Sequence, residues 1–400
     1  MEGTGEMDRL LMIADDMTGA LDAGVAFASS GAAVCVGKDS YFTEDAHAAA
    51  CSVVVSVVPT RHVSAEEAYS MVRETVEKAA TLGFTVIFKK TDSALRGNIG
   101  AELEAVLDAS GGGSLCFVPA FPRMNRVTRE GIHYINGNVP VSESVFAEDP
   151  FNPVRHSSVA EVIAETSSVT CCSGGCAGEG VHIFDASTDE DIRNAALCTT
   201  KEKGLKLFAG CAGMAEALNA LLELPRDSRK EKVHAERLMV FCGSVNPISR
   251  AQCEEAAKDG APFFHLIENG VSREGSGLAE EMAKASADSL VTLFDTGSAQ
   301  PEGEGSPADA GKRMAARIGK FIRKVTSLQP DAAVFIIGGD TLLAFTEEMG
   351  IATLFPEGEL LPGVVAASYE REGSRRFLIA KSGGFGERDL IGKIAHMICK

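Results

Sequence analysis

The sequence predicts an α/β protein: two α/β domains with mostly parallel sheets. Apolar, β-rich runs of five to seven residues alternate with segments of helical periodicity through most of the chain. That alternation builds parallel sheets covered on both faces by helices. The chain, 400 residues at 45% hydrophobic composition, suits two cores better than one. A charged, turn-prone segment, Leu224 to Glu236 (LPRDSRKEKVHAE), makes the natural break and gives domains at 1–230 and 236–400.

Strands are expected at Leu10–Ala14, Ala33–Gly37, Ser52–Val58, Thr85–Lys89 and Leu115–Val118, with helices at Thr18–Ser30, Ser64–Leu82 and Asn98–Ala109. From Gly131 to about Pro153, Asn136, Gly137, Asn138 and Pro140 interrupt the pattern, and the stretch reads as a long loop of the kind that is often functional. The pattern resumes at Val181–Asp185 and Leu205–Ala209. Beyond the break, strands are expected at Leu238–Cys242, Pro262–Ile267, Leu290–Phe294, Ala332–Ile337 and Phe377–Ala380, with Gly297–Asp309 as an exposed excursion.

Composition excludes several functions. Lys and Arg total 38 against 56 Asp and Glu, a formal charge of -18 with no basic run, so nucleic acid is not an expected partner. Met1 to Leu10 lacks a basic leader, and the longest apolar stretch, Cys51 to Pro59, is too short for a bilayer, so a soluble cytoplasmic protein with no membrane partner is expected. The eleven cysteines read as reduced residues, several of them in the core. Cys171, Cys172 and Cys176 have no following His or Cys pair at finger-like spacing, so TCCSGGCAGEG reads as a Gly-rich loop rather than a zinc site. The sequence leaves room for a homo-oligomer.

Polar residues gather where strands are expected to end, the place where α/β sheets bind ligands. Asp15 and Asp16 follow the first strand; Asp16 or Thr18 also suits a helix cap, which accounts for one carboxylate of the two. Lys89 to Asn98 (KKTDSALRGN) crowds Lys90, Asp92, Ser93 and Arg96 into one turn, with Arg suited to a carboxylate and Lys to a second anionic or hydroxyl group; a charged turn capped by Asp92 or Ser93 is the plainer reading. Val118 to Arg126 adds Arg123 and Arg126 as anion contacts or as part of a rigid connection. In the second half, Gly243-Ser244, Gly338-Gly339-Asp340-Thr341 and Lys381-Ser382-Gly383-Gly384 form three small-residue loops, the last with a cation at its mouth, that together point to a nucleotide phosphate site. Neither a Walker motif nor a strand-linked G-x-G-x-x-G is present.

In this order the motifs IADDMTGALDAG, KKTDSALRGNIGAELEAVL, VPAFPRMNRVTREGIHYINGNVP, CGSVNPISRAQ, IIGGDTLLAF and KSGGFGERD resemble those of the four-carbon acid sugar kinase family, across nearly the whole chain. The resemblance implies an N-terminal sugar-acid domain, a C-terminal ATP domain, an active-site cleft between them that closes over both substrates, and phosphorylation of a compound such as threonate, erythronate or 3-oxo-tetronate. By position it implies that Asp15, Asp16, Lys90, Asp92 and Arg96 line the acid site, and that Ser244, Gly338, Gly339, Asp340, Thr341, Gly383 and Gly384 line the ATP site. Asn246 and Ser249 stand where the family tends to have Ser and Thr, and Ala94 where Thr is usual. The corresponding mechanism has Arg96, with Lys90, grip the carboxylate while Asp16, or Asp15, orients or deprotonates the hydroxyl. The glycine loops and Lys381 then hold ATP phosphates around Mg2+, whose protein ligands stay open. Two other accounts compete: a non-catalytic sensor of sugar acid or nucleotide, and a lyase using Lys89 or Lys90 as a Schiff-base amine.

Overall fold

The computed structural model describes residues 7–149, 152–175, 178–200, 205–226, 232–268, 271–275, 277–297 and 307–399. The chain divides into two compact units, Met1–Arg229 and Lys230–Lys400. In the first, β1 (Leu10–Ala14), α1 (Met17–Ala28), β2 (Val34–Lys38), α2 (Ala46–Ala50), β3 (Val53–Val57), α3 (Ala65–Ala79), β4 (Val86–Lys90), α4 (Ile99–Ala109) and β5 (Ser114–Val118) follow in order. Then come the short strands β6 (Val127–Arg129), β7 (Ile132–Ile135) and β8 (Val139–Pro140), and after them α5 (Val159–Ala164), β9 (Cys171–Ser173), β10 (Gly180–Ile183), α6 (Asp189–Thr200), β11 (Lys206–Gly210) and α7 (Ala212–Leu221).

Parallel pairing orders the main sheet of this unit β2-β3-β1-β4-β11-β5-β10-β9. Every residue of β1 (LLMIA), β3 and β4 is buried, as expected of strands covered on both faces. The chain runs from β1 to β2 and β3 on one side, then crosses to β4 on the other, so the order reverses at β1, the topological position where such sheets open a crevice.

The second unit comprises β12 (Leu238–Cys242), α8 (Pro247–Lys258), β13 (Phe263–Glu268), β14 (Val271–Ser272), α9 (Leu278–Asp288), β15 (Val291–Gly297), α10 (Pro307–Leu328), β16 (Ala333–Ile337), α11 (Gly339–Met349), β17 (Thr353–Leu361), β18 (Val364–Arg371), β19 (Ser374–Lys381) and α12 (Leu390–Ile398). Its strands run β14-β13-β15-β12-β16-β19-β18-β17, parallel from β13 to β19 and antiparallel at both ends. Here the order reverses at β12.

Three expectations need correction. The stretch after Gly131 is not an unstructured loop: β6, β7 and β8 form a small antiparallel sheet, its tight turns supplied by residues such as Asn136 and Gly137. Cys171 and Cys172 lie on β9, an edge strand paired with β10, whereas Cys176 lies outside the described residues. The expected excursion 297–309 ends in α10, which begins at Pro307, while 298–306 lie outside the described residues. Among the described residues no helix is long and apolar enough to cross a membrane.

Candidate active site

In the first unit the loops after β1, β3 and β4 converge. Asp16 caps α1: its Oδ1 accepts from the Gly19 amide (2.6 Å) and the Thr18 hydroxyl (2.8 Å). The capping reading is therefore correct, but it uses only one oxygen. Oδ2 of Asp16 accepts from Arg61, whose guanidinium also donates to Asp15 Oδ2 through Nε (2.9 Å) and Nη2 (2.7 Å) and lies 3.8 Å from Asp92 Oδ1. Arg61 thus ties three carboxylates together, and sequence reasoning missed it. The available signal was its placement in Pro59-Thr60-Arg61, just past the end of a buried strand, as with the other site loops. Asn98 holds this loop by donating to the Thr60 (2.8 Å) and Val63 (3.1 Å) carbonyls.

Alternate residues of β4 point to opposite faces. Lys89 turns to α4, where its Nζ lies 2.9 Å from Glu102 Oε2 and donates to the Lys90 carbonyl (3.0 Å), while the Thr60 hydroxyl donates to the other Glu102 oxygen. This buried pair serves structure and gives no support to a Schiff-base role for Lys89. Lys90 turns instead toward α1, its Nζ 4.0 Å from Asp15 Oδ1, an oxygen buried without a hydrogen-bond partner among the described residues. A methyl at Gly19 would collide with the Lys90 ammonium, which explains the glycine in DMTGA.

The turn after β4 is organised by Asp92, whose Oδ2 accepts from the amides of Ala94 (3.1 Å) and Arg96 (3.3 Å), with Leu95 buried in the left-handed region at φ 63°. Such a conformation in a non-glycine residue is costly and is typical of functional turns. Arg96, expected to grip a substrate carboxylate, is already engaged: Nε and Nη2 bind Asp92 (2.9 and 3.0 Å) and Nη1 binds Asp149 (3.1 Å). Arg126 is different. It donates to the Ser93 hydroxyl and, like Arg96, lies over the Phe146 ring, but no carboxylate pairs with it among the described residues. Arg123 instead pairs with Glu216 on α7 (3.1 Å). Ala94 points away from the polar cluster into a small apolar group with Ile135, Val141 and Val154, so the missing hydroxyl there is not a loss from the polar site.

These contacts set the charge states. Burial alone raises the Asp16 carboxyl, but Arg61, Lys90, the Gly19 amide and Thr18 outweigh it and hold the group well below the usual carboxylate range. Asp92 is likewise held well below that range against the effect of burial, chiefly by Arg96 and Arg61. Burial lowers Arg126, partly offset by Asp92. His133, fully buried, donates from Nε2 to the Ser93 carbonyl (3.0 Å) and accepts the Thr128 hydroxyl at Nδ1 (3.1 Å); burial pushes it down to about 4, so it holds the turn as a neutral ring.

In the second unit the three small-residue loops do come together at the carboxyl ends of β12, β16 and β19. A Cβ at Gly243 would collide with the Thr341 hydroxyl, and one at Gly383 with the Ser244 hydroxyl; one at Gly338 would lie 3.5 Å from the Ser244 amide, and one at Gly384 3.7 Å from Asn246 Nδ2. Asn246 caps α8 by accepting from the Ile248 amide (2.9 Å), and the Ser249 hydroxyl donates to the Gly383 carbonyl (2.6 Å), so both residues keep a defined polar role. Gly339, Asp340 and Thr341 open α11, with Asp340 exposed and Thr341 buried. Lys381 requires correction. It is not a cation at the loop's mouth: its side chain is buried, with Nζ donating to the carbonyls of Ser382 (2.8 Å) and Gly383 (3.3 Å) and to Ser249 Oγ (3.3 Å).

Comparison with known proteins follows the same division. Residues 10–218 match the sugar-binding N-terminal domain model and residues 239–391 the nucleotide-binding C-terminal domain model. The chain is 26% identical to a D-threonate kinase of Salmonella typhimurium over 98% of this chain and 99% of that one. It is 29% identical to a D-erythronate kinase of Heliobacterium modesticaldum over 72% of this chain and 69% of that one. A solved structure of a Salmonella typhimurium LT2 protein, 20% identical, shares the fold with a TM-score of 0.74 over 96% of this chain and 98% of that chain. Fold and matched domains define a two-domain α/β enzyme of the kinase class. The chain belongs to the four-carbon acid sugar kinase family.

Proposed function

We propose that the protein transfers the γ-phosphoryl group of Mg-ATP to a hydroxyl of a four-carbon sugar acid such as threonate, erythronate or 3-oxo-tetronate. The observation that carries this reading is Arg126, a part-buried guanidinium with no carboxylate of its own among the described residues, held beside a cluster whose other charges are paired among themselves. A guanidinium with no ion-pair partner of its own in such a place suits one substrate carboxylate. Lys90 stands ready for a second oxygen, and Asp92, Ser93 and Arg96 keep the turn in shape. Asp16, more exposed than Asp15, accepts a hydrogen bond from the acceptor hydroxyl and orients it. Held ionised, it aligns the nucleophile rather than waiting as a strong base, which is adequate for a loose phosphoryl-transfer transition state.

The loops bearing Ser244, Gly338, Gly339, Asp340, Thr341, Gly383 and Gly384 take the ATP phosphates in this proposal. The magnesium ion in this proposal arrives on the nucleotide and keeps most of its water. Asp340, exposed in the first turn of α11, is the carboxylate these loops offer it. A cytoplasmic setting supplies ATP and agrees with the free thiols of the described cysteines. The test is ADP release with Mg-ATP over D- and L-threonate, D- and L-erythronate, 3-oxo-tetronates and longer aldonates. Turnover concentrated on one four-carbon acid is expected. Selective turnover of a longer aldonate would overturn the substrate class, and nucleotide binding without ADP release from any acid would overturn the kinase reading.

A further inference from the structure

Lys381 presents an unusual arrangement. Its ammonium is buried beneath the Ser382–Gly384 loop and finds no carboxylate among the described residues; its acceptors are the Ser382 and Gly383 carbonyls and Ser249 Oγ. An ammonium has three protons, and these oxygens account for all of them. The Ser249 hydroxyl sends its own proton to the Gly383 carbonyl, so that oxygen is held from two sides. One turn along α8, Gln252 Nε2 donates to the Phe385 and Glu387 carbonyls (both 2.9 Å) and pins the loop's far end.

Peptide planarity gives this a consequence on the opposite face. Across a trans peptide the carbonyl of one residue and the N–H of the next point in opposite directions. With the Ser382 and Gly383 carbonyls drawn inward to the ammonium, the N–H groups of Gly383 and Gly384 face outward. No described residue accepts from either amide. Two successive outward N–H groups make a concave anion site. On the nucleotide reading given above, we propose that Lys381 is a positioning residue that never touches the nucleotide and acts by turning two peptide planes so that the Gly383 and Gly384 amides bind its phosphates.

The groups that face the ammonium make this device sensitive to alkali. Burial lowers Lys381 to about 8, and the titratable groups beside it are the thiols of Cys242 on β12 and Cys253 on α8, which act in the other direction. Below that pH all three donors and the charge are present; above it the amine keeps two donors and no charge, so its hold on the two carbonyls and Ser249 Oγ weakens.

Calorimetric binding of ADP and of adenosine to the full-length protein tests the role, because adenosine lacks the phosphates. Lys381→Met should weaken ADP about tenfold, the loss of roughly one charge-assisted contact, and leave adenosine unchanged. Wild-type affinity for ADP should fall between pH 7 and 9.5 while that for adenosine stays flat, and the variant should show no such fall. Ser249→Ala, which keeps the ammonium, should give a smaller loss confined to ADP. Equal weakening of ADP and adenosine in Lys381→Met, or unchanged ADP affinity, would overturn the role. The wild-type pH series decides the matter should that variant fail to fold, and a flat series for ADP overturns it. Binding of neither compound by the wild type would instead remove the nucleotide reading, and the lysine's role with it.

Discussion

Each unit buries a lysine at the carboxyl end of a central strand, Lys89 on β4 and Lys381 on β19, and the two have their hydrogen bonds satisfied by different means. Lys89 meets a carboxylate, Glu102, as buried as itself. Among the described residues Lys381 meets neutral oxygens alone, two of them carbonyls of the loop it supports. The surroundings follow the same contrast. On the face of β4 opposite the first lie Arg61, Lys90, Arg96, Asp15, Asp16 and Asp92, a site made of charges that hold one another; around the second lie glycines and hydroxyls, a site made of backbone. A small hydroxy acid must be oriented at several atoms, which needs directional side chains. Phosphate oxygens are served by amides that any residue carries, provided no side chain stands in the way.

If that contrast is right, the charge-built site should be the more sensitive to losing one partner. Lys89→Met strands the Glu102 carboxylate in the interior and should cost about 3–5 kcal/mol of unfolding free energy, whereas adding Glu102→Gln should restore much of it. Urea denaturation of the single and double variants measures both, and equal loss in the two would contradict a paired-charge account. Asp16→Asn should lower kcat about a hundredfold with nucleotide affinity unchanged. Because Asp16 is held below the ordinary carboxylate range, its charge persists as pH falls through 5 and 4. The turnover profile should therefore lack an acid limb belonging to Asp16; an acid limb that disappears in Asp16→Asn would show that it titrates there. The smallest effect belongs to bulk: Gly383→Ala, whose added methyl meets Ser244, should raise the nucleotide KM about tenfold and leave the acid's KM alone. Equal changes in both constants would mean that the two sites do not differ as described.

The sequence by itself determined the strand and helix alternation, most strand positions within a residue or two, and the loops that carry the chemistry, because parallel strands buried on both faces leave continuous apolar runs and their polar residues cluster where the runs stop. Leu10–Ala14 and Leu238–Cys242 were legible to the residue. The half-exposed antiparallel β17 was not, since Pro356 and Gly358 interrupt the apolar run that marks the others, and β18 was missed although Val364 to Tyr369 is buried without a break. Motif order was enough to indicate the family. Only the tertiary structure decided what each polar residue does. It brought Arg61, Asp149 and Phe146 to the motif residues from segments with no motif of their own, and it assigned Arg96 to Asp92 while leaving Arg126 without a carboxylate among the described residues. It turned Lys89 and Lys90, neighbours in sequence, to opposite faces of one strand, and it buried Lys381 beneath its loop. The physical reason is common to these cases: a side chain's direction follows from the strand pleat, and its partner from which strands pair, and neither is written in the local sequence.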